Sequence, residues 1–396
     1  MPKQDRYPTS GLCGLIAIAV FAGLANASLL CAPVIATQLM TELGLDARKV
    51  GLFFSMEFGG YCLAGLGGRW LLPGMPWRLI VLVSVAVVIM GDLIAILCLH
   101  YFIALLFVRL ITATFSAMLG IVAMSSANRR VDRGRAYGIY ILGQCMTGVI
   151  GLALLPALFT HYGIRSYFIL LPMLFIALSW LGLFLARGGT GTRPANDGHV
   201  SISSGFPVLL RRIAVLLFYM GLSGVWTFSG AISARAGINA LHGGALMSGA
   251  AFAGVMGSAL AAWYGRRPNI NAAMFMGYGV LIGALLILML PTMGGFIAGI
   301  VSFKFAWTFV IPFIFATIGQ QDRKGEVIAE VNLLAGLGLS VAPWLAGQIV
   351  AFGNLPTLLL VECILLLVSA GSVYWMQIYT RSNVPDMSMI AENRGN

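Results

Sequence analysis

Apolar runs of about 20 residues recur along this chain, each closed by a short polar segment, and that is the length at which a helix crosses a hydrocarbon core of about 30 Å. Before the midpoint the pattern predicts helices over roughly 11–38, 50–72, 79–99, 102–127, 136–160 and 166–186. After it, the same pattern predicts helices over roughly 212–235, 243–264, 272–290, 294–318, 326–352 and 354–379. A membrane barrel would instead alternate apolar and polar residues over segments of about 10. The expected class is therefore all-α: an integral membrane protein of twelve transmembrane helices, since helices satisfy their own backbone groups in lipid.

One long polar stretch interrupts the pattern. Residues 187–211 are rich in Gly, Ser, Thr, Pro and Asn, bury little apolar surface, and are expected to form a linker. The predicted organisation is a polar N-terminus at 1–10, a six-helix bundle over 11–186, the linker, a second six-helix bundle over 212–379 and a polar tail at 380–396. The two bundles also resemble each other in order. Phe21-Ala22-Gly23-Leu24 answers Tyr219-Met220-Gly221-Leu222, and Gly44-Leu45-Asp46-Ala47 answers Gly237-Ile238-Asn239-Ala240. Asp132-Arg133-Gly134-Arg135 answers Asp322-Arg323-Lys324-Gly325, and Pro156-Ala157-Leu158 answers Pro343-Trp344-Leu345. A duplicated unit of six spans keeps corresponding helices parallel, the parallel repeat with which some transporters build a site between two halves.

Charge sets the orientation. Arg and Lys crowd the ends, the linker and the loops after spans 2, 4, 8 and 10, whereas the other loops hold only Arg48, Lys49, Arg165 and Arg235. This bias places both termini and the linker in the cytoplasm, and the expected location is the inner (cytoplasmic) membrane. The formal charge of +11 is thus explained by topology; the basic residues form no single patch of the kind that binds nucleic acid. The composition, 59% hydrophobic and 9% charged, agrees.

Ionisable side chains inside a membrane are costly, by about 2.5–3.5 kcal/mol on insertion scales, so the few present are candidates for function. Counting from the span ends at about 1.5 Å per residue, Glu57, Asp92 and Arg109 lie roughly 10 Å deep and Lys304 lies near the midplane. Arg109 either pairs with Asp92 or Glu57 to knit the first half together, or serves substrate. Glu57 and Asp92 are the candidate proton-coupling carboxylates, with Glu57 the first choice, because burial and a nearby cation act on a carboxyl in opposite senses. Asn26, Gln144, Trp226, Trp307 and Asn332 fall at middle depths and can complete a substrate pocket with Arg109 and Lys304, though each alone also suits interhelical packing. No role follows for Glu362.

Other chemistries leave no matching pattern. There is no GxxxxGK[ST] phosphate loop, no HExxH and no GxSxG, so neither an ATP-driven pump nor an enzyme is expected. Six cysteines lie inside apolar runs without CxxC spacing, and the pairs Met289/Met293 and His242/Met247 stand without a second cluster, so no metal or cofactor is expected.

Three passages resemble the major facilitator superfamily. Gly163-Ile164-Arg165-Ser166-Tyr167-Phe168 is similar to its G-W-R-x-x-F element; Asp132-Arg133-Gly134-Arg135-Ala136-Tyr137-Gly138 is similar to its acidic-R-G-R-A-x-G passage; Arg109 matches an embedded arginine on the fourth helix. The loop after span 2, Gly65-Leu66-Gly67-Gly68-Arg69, lacks the family's usual acid, and span 5 lacks the antiporter-associated G-P pair. The resemblance implies spans 1, 4, 7 and 10 around a central cavity, which places Arg109 and Lys304 on cavity-lining helices. It also implies a cytoplasmic gate drawn from Arg69, Asp132, Arg133, Arg135, Arg266, Asp322 and Arg323. The expected function is a monomeric secondary transporter in the lipid bilayer, proton-coupled, moving a small organic solute, with Arg109 and Lys304 favouring an anion. The alternatives are a proton-driven drug or metabolite efflux antiporter and a membrane receptor or scaffold without transport.

Overall fold

The computed structural model describes residues 11–185, 206–264, 270–319 and 326–382. The expected linker falls largely outside this set, as do the N-terminus and most of the tail. The first half contains α1 (Leu12–Ala25), α2 (Ala27–Leu30), α3 (Ala32–Glu42), α4 (Ala47–Gly74), α5 (Trp77–Leu97), α6 (Phe102–Asn128), α7 (Arg133–Tyr162) and α8 (Arg165–Leu178), the last continued by a 3-10 turn over Ser179–Phe184. The second half contains α9 (Phe206–Arg235), α10 (Ala240–Tyr264), α11 (Ile270–Leu288), α12 (Met293–Gly319), α13 (Glu326–Phe352) and α14 (Leu355–Ser382). Among the described residues eleven helices are long and apolar enough to span a membrane, and the shorter apolar α1 opens the remaining span. Large apolar side chains such as Leu82, Leu97 and Phe107 are exposed on the periphery, as a lipid-facing surface requires.

The first span differs from the single helix that hydrophobicity predicts: it is broken at Asn26 and Cys31 into α1, α2 and α3. Proline explains the second break. Pro33 opens α3 and has no N–H to give to the Leu29 carbonyl, its partner in an uninterrupted helix. In lipid a freed carbonyl needs another donor, and the indole N–H of Trp226 on α9 supplies it, with Nε1 donating to the Leu29 oxygen at 2.9 Å. At the first break the Ala25 carbonyl accepts from the Tyr61 hydroxyl at 3.0 Å and the Ser116 hydroxyl at 3.2 Å.

The two halves meet on the side away from the linker, here called the far side. Ser340 Oγ on α13 donates to the Ser55 carbonyl on α4 at 3.0 Å, and the Trp344 N–H donates to Ser55 Oγ at 2.9 Å. Ser248 Oγ on α10 donates to the Val149 carbonyl on α7 at 2.8 Å. Farther out the Arg48 guanidinium lies 4.2 Å from the centre of the Phe352 ring. The backbones of α4 and α13 approach so closely that a Cβ on Gly51 would lie 2.2 Å from the Pro343 oxygen, and one on Gly347 would lie 2.4 Å from the Ala47 oxygen. Small residues permit such contact between membrane helices. The conformation is therefore closed on the far side. Gly51→Val, which puts a branched side chain into that seam, should shift the population towards far-side opening, read as longer distances between spin labels on the far ends of α4 and α13; unchanged distances would contradict this role for the seam.

Candidate functional site

Three helices of the first half converge on one buried ion cluster. Arg109 of α6 grips Glu57 of α4 with both arms of a fork, Nε donating to Oε2 at 2.8 Å and Nη2 to Oε1 at 2.7 Å. Its Nη1 donates to Oδ1 of Asp92 on α5. All three residues are essentially inaccessible to solvent. Bidentate geometry of this kind is specific to arginine. Nη2 also reaches Ser28 Oγ on α2 at 3.3 Å, and Ser28 is bonded to the Tyr167 hydroxyl at 2.7 Å. The Phe168 ring lies 5.3 Å from the guanidinium carbon. Tyr167 and Phe168 belong to the Gly163–Phe168 passage, which is held by Glu42: its carboxylate accepts the Ile164 N–H at 2.6 Å, beside Gly163 with its positive φ of 66°.

The cluster contains two carboxylates and a single guanidinium. Asp92 Oδ2 has no hydrogen-bond partner, and among the described residues no second cation pairs with either acid.

The other embedded cation is held differently. Lys304 on α12 lies about 16 Å from the far end of its helix. Its ammonium sits 3.8 Å from the centre of the Trp226 ring and 3.9 Å from that of Trp307, and the two indoles meet edge to face with centroids 6.1 Å apart. Aromatic faces stabilise a cation through their quadrupole, but they carry no net charge. Among the described residues Lys304 has no carboxylate partner. Cys145 on α7 of the opposite half is near enough to interact with it electrostatically.

The broken first span joins these two groups. Ser28 touches Arg109, and the next residue, Leu29, accepts from Trp226, which covers Lys304. A continuous chain of contacts thus runs from the acids of the first half to the lysine of the second. The sequence points to Arg109, Glu57, Asp92, Lys304, Trp226 and Trp307 as candidates, but not to this connection, nor to a place in it for Ser28 or Tyr167. Pro33 was the available signal, since a proline inside an apolar span frees a carbonyl.

Asn26 and Gln144 also come together. Gln144 Nε2 donates to the Tyr140 hydroxyl at 3.3 Å, and Asn26 engages the same hydroxyl. Asn332 is exposed on α13, apart from both clusters. Of the expected gate residues, Asp132 and Arg135 are exposed at the start of α7, where the Asp132 carboxylate accepts the Arg135 N–H at 3.0 Å as a helix cap. The side chains of Arg69 and Arg133, and all of Arg266, Asp322 and Arg323, lie outside the described residues. On the linker side Glu330 of α13 instead pairs with both Arg211 and Arg212 of α9. A far-side cavity of about 210 Å³, with Thr37, Gln38, Thr160 and Ser233 among its lining, includes neither embedded cation.

Comparison with known proteins agrees with this architecture. The family model described as Major Facilitator Superfamily matches residues 15–327. No curated protein matches significantly. Among solved structures, a mutant of the nucleoside transporter NupG superposes with a TM-score of 0.77 at 12% identity, covering 92% of this chain and 98% of that one. A bacterial homologue of the human lysosomal transporter Spinster, inward-facing and occupied, gives 0.66 at 12% identity over 92% and 96% of the two chains. A bacterial homologue of the iron transporter ferroportin, inward-facing, gives 0.69 at 13% identity over 91% and 97%. With the family matched over most of its length and the same fold in these structures, the chain belongs to the major facilitator superfamily of membrane transporters.

Proposed function

We propose that the protein is a proton-coupled secondary transporter of a small organic anion, working by alternating access. The observation that carries this reading is the charge imbalance around Arg109: two buried carboxylates face one guanidinium, and one oxygen of Asp92 has no partner. An unbalanced charge in a membrane interior is expensive, and one proton shared by the pair removes it. Glu57 and Asp92 then bind and release that proton as a coupled unit. Lys304, half-buried and balanced only by aromatic faces, supports an anionic substrate. An anion that draws Lys304 from its cage disturbs Trp226, hence the Leu29 carbonyl, Ser28 and the grip on Arg109. This is a physical route by which substrate and proton influence each other. By the positive-inside bias the linker side is the cytoplasm, which makes the closed far side the outer face.

The charge balance makes an unusual prediction. Glu57→Gln or Asp92→Asn leaves one acid against Arg109, neutral without any proton, so each single variant should fold while transport of organic anions into proteoliposomes loses its response to an imposed pH gradient. The double variant leaves Arg109 unpaired and should be destabilised by about 3–5 kcal/mol. A single variant that still follows the pH gradient at the wild-type rate would remove the pair from coupling.

A further inference from the structure

The second half buries an acid that this mechanism does not use. Glu362 on α14 is 3% exposed, and its Oε2 makes no hydrogen bond. The side chain packs against a glycine of α9: a Cβ built on Gly224 would lie 2.0 Å from Glu362 Oε1 and 3.1 Å from the Ala346 Cβ. The carboxyl therefore fills the space that the absence of a side chain at Gly224 leaves between α9, α13 and α14. Ala346 precedes Gly347, whose backbone forms the close seam with α4. Glu362 thus stands one layer behind the far-side contact between the halves, and two residues along α9 from Gly224 is Trp226.

Among the described residues nothing around it balances a negative charge. On α9 the nearest titratable side chain in sequence is Tyr219; α11 contributes Tyr278, whose hydroxyl is bonded to Ser369 at 2.9 Å. Over its described side chains the acid of α13 is Glu330, at the linker side and paired with Arg211 and Arg212. On α14 itself Cys363 turns its Sγ towards the Ile282 carbonyl at 4.0 Å. Among the described residues no group of three His, Cys, Asp or Glu side chains could hold a metal ion in place of a counter-charge. In a low-dielectric interior an acid with no cation and no donors stands as the neutral, protonated form.

We propose that Glu362 is a second proton-carrying site, in the half opposite the Arg109 cluster, which holds its proton while the far side is closed and exchanges it when the seam between α4 and α13 opens. This extends the proton-coupled reading given above. Opening moves α13 away from α4 and loosens the packing around Ala346 and Gly224, which admits water to the carboxyl. The ligand is a proton, and the site needs no substrate to be observed.

Infrared spectroscopy of the full-length protein in lipid nanodiscs at neutral pH tests this directly. A buried protonated carboxyl gives a distinct carbonyl-stretch band, and the band lost in Glu362→Gln is the one to follow. The expected result is a Glu362 band present at neutral pH that shifts in heavy water, showing that the proton exchanges. Absence of any such band, meaning an ionised and hence partnered Glu362, would overturn the proposal. So would a band that never shifts in heavy water, the mark of a sealed structural acid. Glu362→Asp keeps a carboxyl and should give a displaced band, which guards against loss of fold in the Gln variant. Gly224→Ala should move the band by expelling the carboxyl from its niche. Glu57→Gln and Asp92→Asn should leave the Glu362 band in place, so failure at one site is distinguishable from failure at the other.

Discussion

Arg109→Ala should abolish transport and lower stability by about 3–5 kcal/mol, the cost of removing one partner from a buried ion pair. The size follows from what is left behind: Glu57 loses a bidentate partner and Asp92 its bonded one, both inside the membrane. The two acids can respond by taking up protons, so the variant should be least impaired in fold at acidic pH, and thermal unfolding followed against pH reads this. Stability and function should then separate. Adding Glu57→Gln and Asp92→Asn to Arg109→Ala removes the stranded charges and should restore most of the lost stability, yet transport should stay absent because the contact from Arg109 to Ser28, which ties the cluster to the broken first span, is gone. Arg109→Lys keeps the charge but not the fork, and should fall between the two. If the triple variant transported, the cluster would be only structural.

Lys304→Met should leave stability within about 1 kcal/mol of wild type while weakening anion binding by about ten- to a hundredfold or more. An embedded lysine costs about 2.5–3.5 kcal/mol, and a desolvated cation–π contact returns about 2 kcal/mol or more; two indoles lie against this one. The terms nearly cancel, so removing the charge changes the fold little. Binding is different, because a hydrogen bond to a charged group is worth about 1.5–3 kcal/mol, and each 1.4 kcal/mol is about tenfold in affinity. Thermal unfolding together with binding titrations across small organic anions measures both. A large loss of stability, or unchanged affinity for every anion bound by wild type, would contradict the assignment of Lys304.

The contrast between what was legible in the sequence and what was not has a physical basis. Span number and fold class could be read because apolar run length is set by bilayer thickness, a constraint that every crossing obeys. The embedded ions could be read because charge is rare in lipid. Their pairing stood only as one of two alternatives: that Arg109 reaches both Glu57 and Asp92 depends on helix rotation, which a hydrophobic run does not encode. The break in the first span was missed for a related reason, since Asn26, Cys31 and Pro33 sit inside an uninterrupted apolar stretch, and the partner that tolerates the break is Trp226, nearly two hundred residues later. Glu362 was visible as an oddity but not as a site, because the glycine that makes room for it is on another helix.

The central claim, that substrate movement is coupled to a proton carried by the Arg109 cluster, is tested most directly by recording proton flux with a pH dye trapped in proteoliposomes while a gradient of a transported organic anion is imposed at equal pH on both sides. With wild-type protein, protons should move with the anion; with Glu57→Gln, the anion should still cross, without protons. Anion flux through the wild type with no accompanying proton flux, or the same proton flux through Glu57→Gln, would contradict the account.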